Sequence, residues 1–239
     1  MPTLWTRLGD LINHTTSDVF SAILERVRTL FEGDLQTRRH VAFSVSMIAL
    51  SAKMAKADGM VSDAEVKAFY EIFDVPLHEA KNVERLYNLA MQDVAGFDFY
   101  AKRLYHLCQD AHCCGQLLED VLEGLFHIAK ADGEIDEDEL NFLHKVAEIF
   151  NFSKVRFEAI LSRHTKMGAK DPWRILGLSK DVSFEDARRR YRDLVREHHP
   201  DRVLARGLPK EFMAIANERL AEINQAWSII RERYALACV

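Results

Sequence analysis

The chain has few of the residues that break helices. Glycine occurs 10 times and proline 5 times in 239 residues. Because sandwiches and barrels need many tight turns, this scarcity favours a helix-rich fold. Four cysteines are too few for a disulfide-stapled secreted domain. Hydrophobic residues make up 48% and charged residues 29% of the chain, which is the composition of a globular protein rather than a disordered one.

Long apolar runs and targeting signals are also missing. The longest apolar stretch, residues 41–57, contains serines and lysines and is shorter than the about 20 apolar residues that span a bilayer. We interpret it as a helix buried at the centre of the first domain. Residues 1–31 show no basic segment followed by a long apolar core, so no secretory signal is visible. These absences predict a cytoplasmic protein without a transmembrane segment.

The sequence pattern of residues 1–39 predicts an amphipathic helical segment. Apolar residues recur there at spacings of three and four, which is one face of a helix. This face either packs on the body of the protein or contacts a membrane surface from one side. The polar face is poor in lysine and arginine, so packing is the favoured interpretation, and peripheral membrane contact is the alternative.

Two domains follow this segment. Residues 40–164 show helical periodicity almost throughout, and residues 165–170 are small, basic and aperiodic, which is typical of a linker. Residues 171–239 then form a second unit. They carry 13 basic and 11 acidic residues, whereas the preceding part carries 19 and 26. An acidic body joined to a mildly basic tail suggests two tasks. The pattern predicts an all-α protein.

A motif in the first domain occurs twice. Residues 55–66 and 129–140 share the pattern A-K-A-D-G-x-[VI]-x-x-x-E-[VL], and the offset between them is constant along the motif. Each copy is followed by an apolar helix that contains aromatic residues. Chance agreement over this length is improbable, so we interpret the repeat as a true duplication.

Two explanations of the repeat stay open. In the structural one, each glycine lies where a helix ends with a positive φ, and the Ser or Asp three residues later opens a capping box for the next helix. These boxes are Ser62 with Glu65 and Asp136 with Glu139. In the other, acidic side chains of both copies converge as oxygen ligands of a divalent cation. The candidate ligands are Asp58, Glu65, Asp132 and Glu139.

The two copies resemble the TerB-like, tellurite-resistance domain, whose paired D-G-x-[VI]-x-x-x-E turns are its most recognisable feature. The resemblance covers about residues 40–163. It implies a compact helical fold with an acidic cation site on the four residues just named. An EF-hand is disfavoured, because the acidic series that precedes the glycine in that motif is missing.

The second domain shows the strongest local signals. Gly177 ends a short helix, and Ser183 caps a second helix that runs from Phe184 to about His198. Pro200 prevents that helix from continuing. A long final helix with one apolar stripe follows. The pattern predicts two antiparallel helices joined by an exposed loop that carries His199, Pro200 and Asp201.

This domain resembles a J-domain, the DnaJ-type co-chaperone module. The resemblance covers nearly all of the second domain and includes W-x-x-L-G-L, A-x-x-x-Y-R-x-L-V, H-P-D-R and E-I-N-x-A-W, in that order. A lone H-P-D tripeptide is a weak signal, but it is a strong one within this framework. Together with the TerB-like domain and the residues inserted after H-P-D, the chain resembles the DjlA group of J-domain proteins more closely than general DnaJ.

The resemblance implies that the protein recruits a DnaK-type chaperone ATPase and stimulates its ATP hydrolysis. Asp201 would pair with a cationic group of that partner, His199 would order the loop, and Pro200 would fix its shape. A basic helix face would meet an acidic surface of the partner. The residues of that face are Arg188, Arg189, Arg192 and Arg196. The alternative interpretation of these arginines is a solvated helix face without a binding role. The TerB-like domain would bind a client or adaptor that the sequence does not identify.

Other functional classes have less support. A cation-binding stress-response protein is the main alternative, and a divalent cation is the one cofactor that the pattern leaves open. Nucleic-acid binding is not expected, because acidic residues interleave with the arginines and the net charge is -5. Common phosphate-loop, hydrolase and metalloprotease motifs are missing, so we expect no enzymatic activity.

Overall fold

The computed structural model describes residues 35–58, 63–73, 80–92, 96–109, 114–133, 135–164, 171–205 and 212–237. These residues form helices, and no strand occurs among them, which confirms the all-α prediction. The linker 165–170 and residues 1–34 lie outside the described residues. The helices are α1 Leu35–Asp58, α2 Asp63–Phe73, α3 Ala80–Gln92, α4 Phe97–Gln109, α5 Cys114–Ala129, α6 Glu137–Ile149, α7 Lys154–His164, α8 Pro172–Ile175, α9 Phe184–Glu197, α10 Pro200–Ala205 and α11 Met213–Ala237.

Helix α1 lies at the centre of the first domain. Every side chain from Ser44 to Ala55 is buried, and the helix contacts α3, α4, α5 and α6. A helix that is apolar on all sides must be covered on all sides, since exposing its apolar surface to water is unfavourable. The prediction of a buried central helix in this stretch is therefore confirmed.

The second copy of the repeated motif forms a helix–turn–helix connection. A single 3-10 turn, Lys130–Asp132, follows α5 and ends at Gly133, whose φ is 132°. Asp136 then caps α6: its side chain accepts the backbone N–H of Glu139 at 2.7 Å, and the Glu139 side chain accepts the backbone N–H of Asp136 at 3.0 Å. This is the predicted capping box, and it fixes where α6 begins.

The second domain is a helical hairpin of α9 and α11 with the short helix α8 against it. Ser183 caps α9 as predicted, accepting the backbone N–H of Asp186 at 3.1 Å. Gly177, with a φ of 67°, ends the turn after α8. The rings of Tyr191 and Trp227 stack between the two long helices at 4.9 Å. The hairpin thus has its own core, and its residues are Trp173, Ile175, Leu176, Ala187, Leu194, Ile223, Ala226 and Ile230.

The two domains also pack against each other. Four apolar side chains, from α10, from the residue before α11 and from the start of α11, belong to the core of the first domain, and α8 contacts α7. These side chains are Val203, Phe212, Ile215 and Ala216. On α5, Gly124 leaves room for this contact, because a Cβ there would come within 3.3 Å of the Phe212 ring. The hairpin therefore packs directly against the first domain and is not connected to it by the linker alone.

Candidate functional site

The His199–Pro200–Asp201 sequence, the HPD segment, lies at the junction of α9 and α10. Helix α9 ends at Glu197, and α10 begins at Pro200, where the ring fits the first helical position because no intrahelical N–H is needed there. His199 Nδ1 accepts the backbone N–H of Asp201 at 3.3 Å. The His199 carbonyl accepts the backbone N–H groups of Arg202 and Val203 at 2.9 and 3.1 Å. His199 therefore holds the first turn of α10.

The outer side of the HPD segment faces solvent. The side chain of Asp201 is 88% exposed and that of His199 is 51% exposed. A shallow groove of about 490 Å³ runs beside them between α9 and α10. Its lining combines the HPD segment with basic and apolar side chains of α9. The lining residues are Tyr191, Arg192, Val195, Arg196, His199, Asp201 and Arg202.

The arginines of α9 line one exposed face. Arg188, Arg192 and Arg196 are exposed at a spacing of four, as predicted. Arg196 contacts Asp193 at 3.2 Å. Arg189, also exposed, contacts Asp186 at 3.4 Å. These exposed pairs contribute little to stability, because water and salt screen them, so the arginines stay available to another protein.

The connection between the hairpin helices differs from the predicted loop. Only His198 and His199 separate α9 from α10, so the HPD segment opens a short helix. The two adjacent histidines point apart: His198 is 1% exposed, whereas His199 is exposed. The last residues of the insertion 203–209 lie outside the described residues, because the structure describes nothing between 206 and 211.

The sequence interpretation missed a buried cluster of charges behind the HPD segment. It joins α5 and α7 of the first domain to His198 and α11 of the second. Arg219 Nη1 contacts Asp120 Oδ1 at 2.8 Å, and Arg219 Nε lies 3.3 Å from Glu123 Oε1. We call the cluster the interdomain ion network. Its members are Glu119, Asp120, Glu123, Arg163, His198 and Arg219.

His198 connects the two halves of this network. Its Nδ1 lies 2.9 Å from Arg219 Nη1, and its Nε2 lies 3.6 Å from Glu119 Oε1. Arginine only donates hydrogen bonds, so Nδ1 is the acceptor and the ring proton lies on Nε2, facing Glu119. Burial, reinforced by the charge of Arg219, lowers the pKa of His198 to about 3, which keeps the ring neutral at neutral pH.

The two glutamates of the network are ionised. Burial favours the neutral form of Glu119, but the surrounding basic groups outweigh it and lower its pKa to about 2. Those groups are His198, Arg156, Arg163 and Arg219. The pKa of Glu123 also lies well below its usual value, because Arg163 and Arg219 outweigh its burial. The arginines of the network are the counter-charges that make its burial tolerable.

One signal in the sequence could have revealed the network. Glu119, Asp120 and Glu123 interrupt the apolar run L-L-E-D-V-L-E-G-L-F at positions that a helix places near one face. All three are at most 5% exposed. Acidic residues inside a buried helix need basic partners, but the partner Arg219 lies 99 positions from Asp120 in the sequence.

The structure describes three of the four candidate cation ligands. Glu65 and Glu139 are buried, whereas Asp132 is exposed, and the side chain of Asp58 lies outside the described residues. Burial and the negative charges of Asp136, Glu65 and Asp132 outweigh the hydrogen bond from the Asp136 backbone and raise the pKa of Glu139 to about 7. Among the described side chains, no group of three or more metal-binding residues forms.

The family models match both domains. The model described as "Tellurite resistance protein TerB" matches residues 44–162, and the model described as "DnaJ domain" matches residues 171–234. The HPD segment and the arginines of α9 lie within the second match. The duplicated turns lie within the first.

Curated relatives cover most of the chain. A protein of Vibrio vulnificus is 28% identical, in an alignment that covers 84% of this chain and 81% of the relative. One of Photobacterium profundum is 29% identical, over 81% of this chain and 78% of the relative. One of Salmonella paratyphi A is 26% identical, over 95% of this chain and 90% of the relative. All three are named "Co-chaperone protein DjlA".

No solved structure matches the chain. The order of the two matched domains and the relatives along most of the sequence nevertheless agree with each other. The sequence resemblance to the TerB-like and J-domain families is confirmed. The chain therefore carries a TerB domain followed by a C-terminal J-domain of the DnaJ family, and over most of its length it is similar to proteins named co-chaperone DjlA.

Proposed function

We propose that this protein recruits a DnaK-type chaperone and stimulates its ATP hydrolysis through the HPD segment. The observation that carries the proposal is the exposed groove in which His199 and Asp201 lie beside Arg192 and Arg196. A carboxylate that is 88% exposed can pair with a cationic group of another protein without first breaking a buried contact. The protein itself acts as a regulator of its partner's catalytic rate.

Each residue of the HPD segment has a separate role in this proposal. Asp201 makes the contact with the partner. His199 holds the backbone of Asp201 and of the next two residues, and Pro200 fixes the start of α10, because its ring restricts φ. The exposed arginines of α9 speed the encounter with an acidic surface and align the partner along the helix.

The test is single-turnover ATP hydrolysis by a bacterial DnaK, with and without the full-length protein. We expect the wild type to accelerate hydrolysis and the variants His199→Gln and Asp201→Asn to lose most of that acceleration. His106→Gln is the matched control, since it makes the same change at an exposed site on α4. Equal stimulation by the wild type and both HPD variants would contradict the proposal.

The TerB domain is, in this proposal, a targeting or sensing module that brings the J-domain to a client or adaptor. The shared core and the interdomain ion network support it, because a partner held by the TerB domain would be kept at a defined distance from the HPD segment. A pull-down with the wild type and with the full-length variant Asp201→Asn tests this role, because Asp201 is exposed and its change leaves the interface between the two domains intact. Capture of the same proteins by both chains is expected.

A divalent cation in the TerB domain is a second proposal. Its support is the mutual repulsion of Glu139, Glu65 and Asp132, which a bound cation would relieve. Carboxylate oxygens suit hard cations such as Ca²⁺ and Mg²⁺. The described candidates Glu65, Asp132 and Glu139 do not form a metal-binding group among themselves, and the side chain of Asp58 lies outside the described residues, so the proposal rests on the sequence pattern and on this repulsion.

Calorimetry with Ca²⁺ and Mg²⁺ at millimolar concentration tests the second proposal. We expect heat of binding and a higher Tm for the wild type, both lost in Glu139→Gln, which keeps an acceptor for the capping box. Glu137→Gln, at an exposed position of α6, is the control. Absence of both heat and a Tm shift in the wild type would exclude the cation.

The cellular location stays a prediction. Within the described part of the chain, no helix is long and apolar enough to cross a membrane. The amphipathic segment that could contact a membrane surface lies largely in residues 1–34, outside the described residues. We propose the cytoplasm on the sequence pattern, and cell fractionation before and after a salt or carbonate wash tests it.

A further inference from the structure

The HPD segment has an inner side that the proposed function does not use. Whereas His199 and Asp201 face solvent, their neighbours His198 and Val203 are 1% and 0% exposed. These two residues bracket the segment on either side. The position of the exposed groups therefore depends on what covers His198 and Val203.

The TerB domain provides that cover. Val203 joins the apolar core of the first domain, together with Phe212 from the residues just before α11. His198 lies between Glu119 of α5 and Arg219 of α11, 3.6 and 2.9 Å from them. A core contact after the HPD segment and a polar contact before it thus hold the segment against another domain.

The polar contact runs through Arg219 into the TerB domain. Asp120 accepts a hydrogen bond from the Nη1 group of Arg219, and the Glu123 carboxylate lies beside the Nε group of the same side chain. These two carboxylates of α5 therefore face one guanidinium. The same Nη1 group faces His198. Because a guanidinium is planar and rigid, carboxylates that fix its orientation also fix the nitrogen that His198 meets.

Contacts at the edge of the interface strengthen this arrangement. Glu218, next to Arg219 on α11, contacts Lys130 of the TerB domain at 3.3 Å. On the other side of the hairpin, Arg174 lies 3.6 Å from Glu158 of α7. The hairpin is thereby held at several separate points, which restricts its rotation on the TerB domain.

We infer that helix α5 of the TerB domain positions the HPD segment for its partner, through Asp120, Arg219 and His198, so that the two domains act as one stimulating unit. This inference rests on the proposed function. Asp120, Arg219 and His198 are positioning residues: they are buried behind the segment and do not touch the partner. The inference gives the TerB domain a role in stimulation besides any targeting role.

The test changes the TerB side of the network, which is buried behind the segment and does not belong to the surface that DnaK would contact. In Asp120→Asn the side chain keeps its shape and an acceptor but loses its charge. We expect the stimulated ATPase rate at saturating concentration of the full-length variant to fall about fivefold, as for other residues that couple two sites. Glu148→Gln makes a matching carboxylate-to-amide change at an exposed TerB position and should stimulate as the wild type does.

Hydrogen exchange provides a readout that does not need DnaK. In Asp120→Asn, the amides of Arg202 and Val203, which bond to the His199 carbonyl, should exchange about tenfold faster than in the wild type. The amide of Glu139, in the distant capping box, should keep its rate and so show that the TerB domain is still folded. A second variant, His198→Asn, keeps an acceptor near the Nδ1 position and should retain more stimulation than His198→Leu.

The outcomes separate this inference from the proposed function. Unchanged exchange at Arg202 and Val203 in a folded Asp120→Asn would overturn the positioning role, whatever the ATPase assay shows. Wild-type stimulation of DnaK by Asp120→Asn would overturn it too. A wild type that fails to stimulate DnaK, yet shows the exchange change in Asp120→Asn, would overturn the proposed function and leave the positioning of the segment supported.

Discussion

Charges lie on two sides of the turn between α9 and α10, and the two sides differ in almost every physical respect. On the outer side, Arg196 and Asp193 form an ion pair whose side chains are 64% and 43% exposed. On the inner side, Arg219 and Asp120 are 1% and 0% exposed. The outer pair costs little to form and to break. The inner pair holds two domains together.

This difference follows from solvation. Water solvates the separated charges of an exposed pair nearly as well as the pair itself, so the net gain is small. A buried charge has lost that water and depends on its protein partners, so removing one partner leaves the other unsolvated. The comparison therefore predicts that substitutions on the inner side lower the free energy of unfolding, whereas substitutions on the outer side weaken the interaction with DnaK.

The largest effect is expected for Arg219→Met. This change takes from Asp120 the buried guanidinium that donates to it and removes one of the two arginines that face Glu123, so we expect it to lower the free energy of unfolding by about 4 kcal/mol. Urea unfolding measures the change. Arg231→Met, at an exposed position on the same helix, is the control and should stay within about 0.5 kcal/mol of the wild type. Similar losses in both variants would contradict the comparison.

Phe212→Ala tests the apolar part of the same interface. The ring is fully buried beside Gly124 and Met47, so its removal should cost about 3 kcal/mol of unfolding free energy. If the two domains unfold as one unit, a single urea transition should move to lower concentration. Phe99→Ala, at a ring that is 38% exposed on α4, should cost much less. The reverse order would show that the interface contributes little.

The network also predicts a loss of stability in acid. The pKa of Glu119 in the folded protein, about 2, lies below its ordinary value of 4.5, so the unfolded chain binds its proton first as the pH falls. The pKa of His198, about 3 instead of 6.5, acts in the same direction, because the unfolded histidine gains a proton that the buried one does not take up. The contribution of the network to stability should therefore fall from about pH 6.5 towards pH 2, whereas Glu139, with its raised pKa of about 7, acts in the opposite direction between pH 7 and 4.5.

We expect Glu119 to account for on the order of 2 kcal/mol of that fall. Urea unfolding at several pH values measures it in the wild type and in Glu119→Gln, whose pH dependence should be flatter below pH 4.5. Glu148→Gln, on the surface, is the control and should follow the wild-type pH profile. A Glu119→Gln curve parallel to the wild type would argue against ionised Glu119 as a source of stability.

The smallest stability effect is expected on the outer side. Arg196→Ala should change the unfolding free energy by less than about 0.5 kcal/mol, because its contact with Asp193 is exposed. The same variant should raise the concentration needed for half-maximal stimulation of DnaK about threefold at low salt, and less at high salt. A large loss of stability without any change in stimulation would contradict the assignment of the outer side to partner binding.

Much of the local structure could be predicted from the sequence. Ser183, Asp136 and Gly133 cap or end their helices where the pattern placed them, because capping depends on residues within one turn. The exposed arginines of α9 also follow from helical periodicity. The junction after α9 was only partly foreseen, since Pro200 ends one helix and at once begins another.

The buried charges could not be assigned from the sequence. A glutamate in an apolar run signals that a partner exists, but Glu123 meets Arg163 and Arg219, which are 40 and 96 positions further along the chain. The same limit applies to Glu139: burial is the main cause of its raised pKa, and the charge of Glu65 from the other copy of the repeat adds to it. Contacts of this kind arise from helix packing, which periodicity does not specify.

By itself, the sequence determined which segments form helices, where several of them begin and end, and that the chain carries a TerB domain and a J-domain. These features depend on local backbone geometry and on motifs of adjacent residues. The tertiary structure alone decided that the J-domain is seated on the TerB domain, with His198 and Arg219 buried behind the HPD segment. That arrangement depends on charges far apart in sequence that exclude water together.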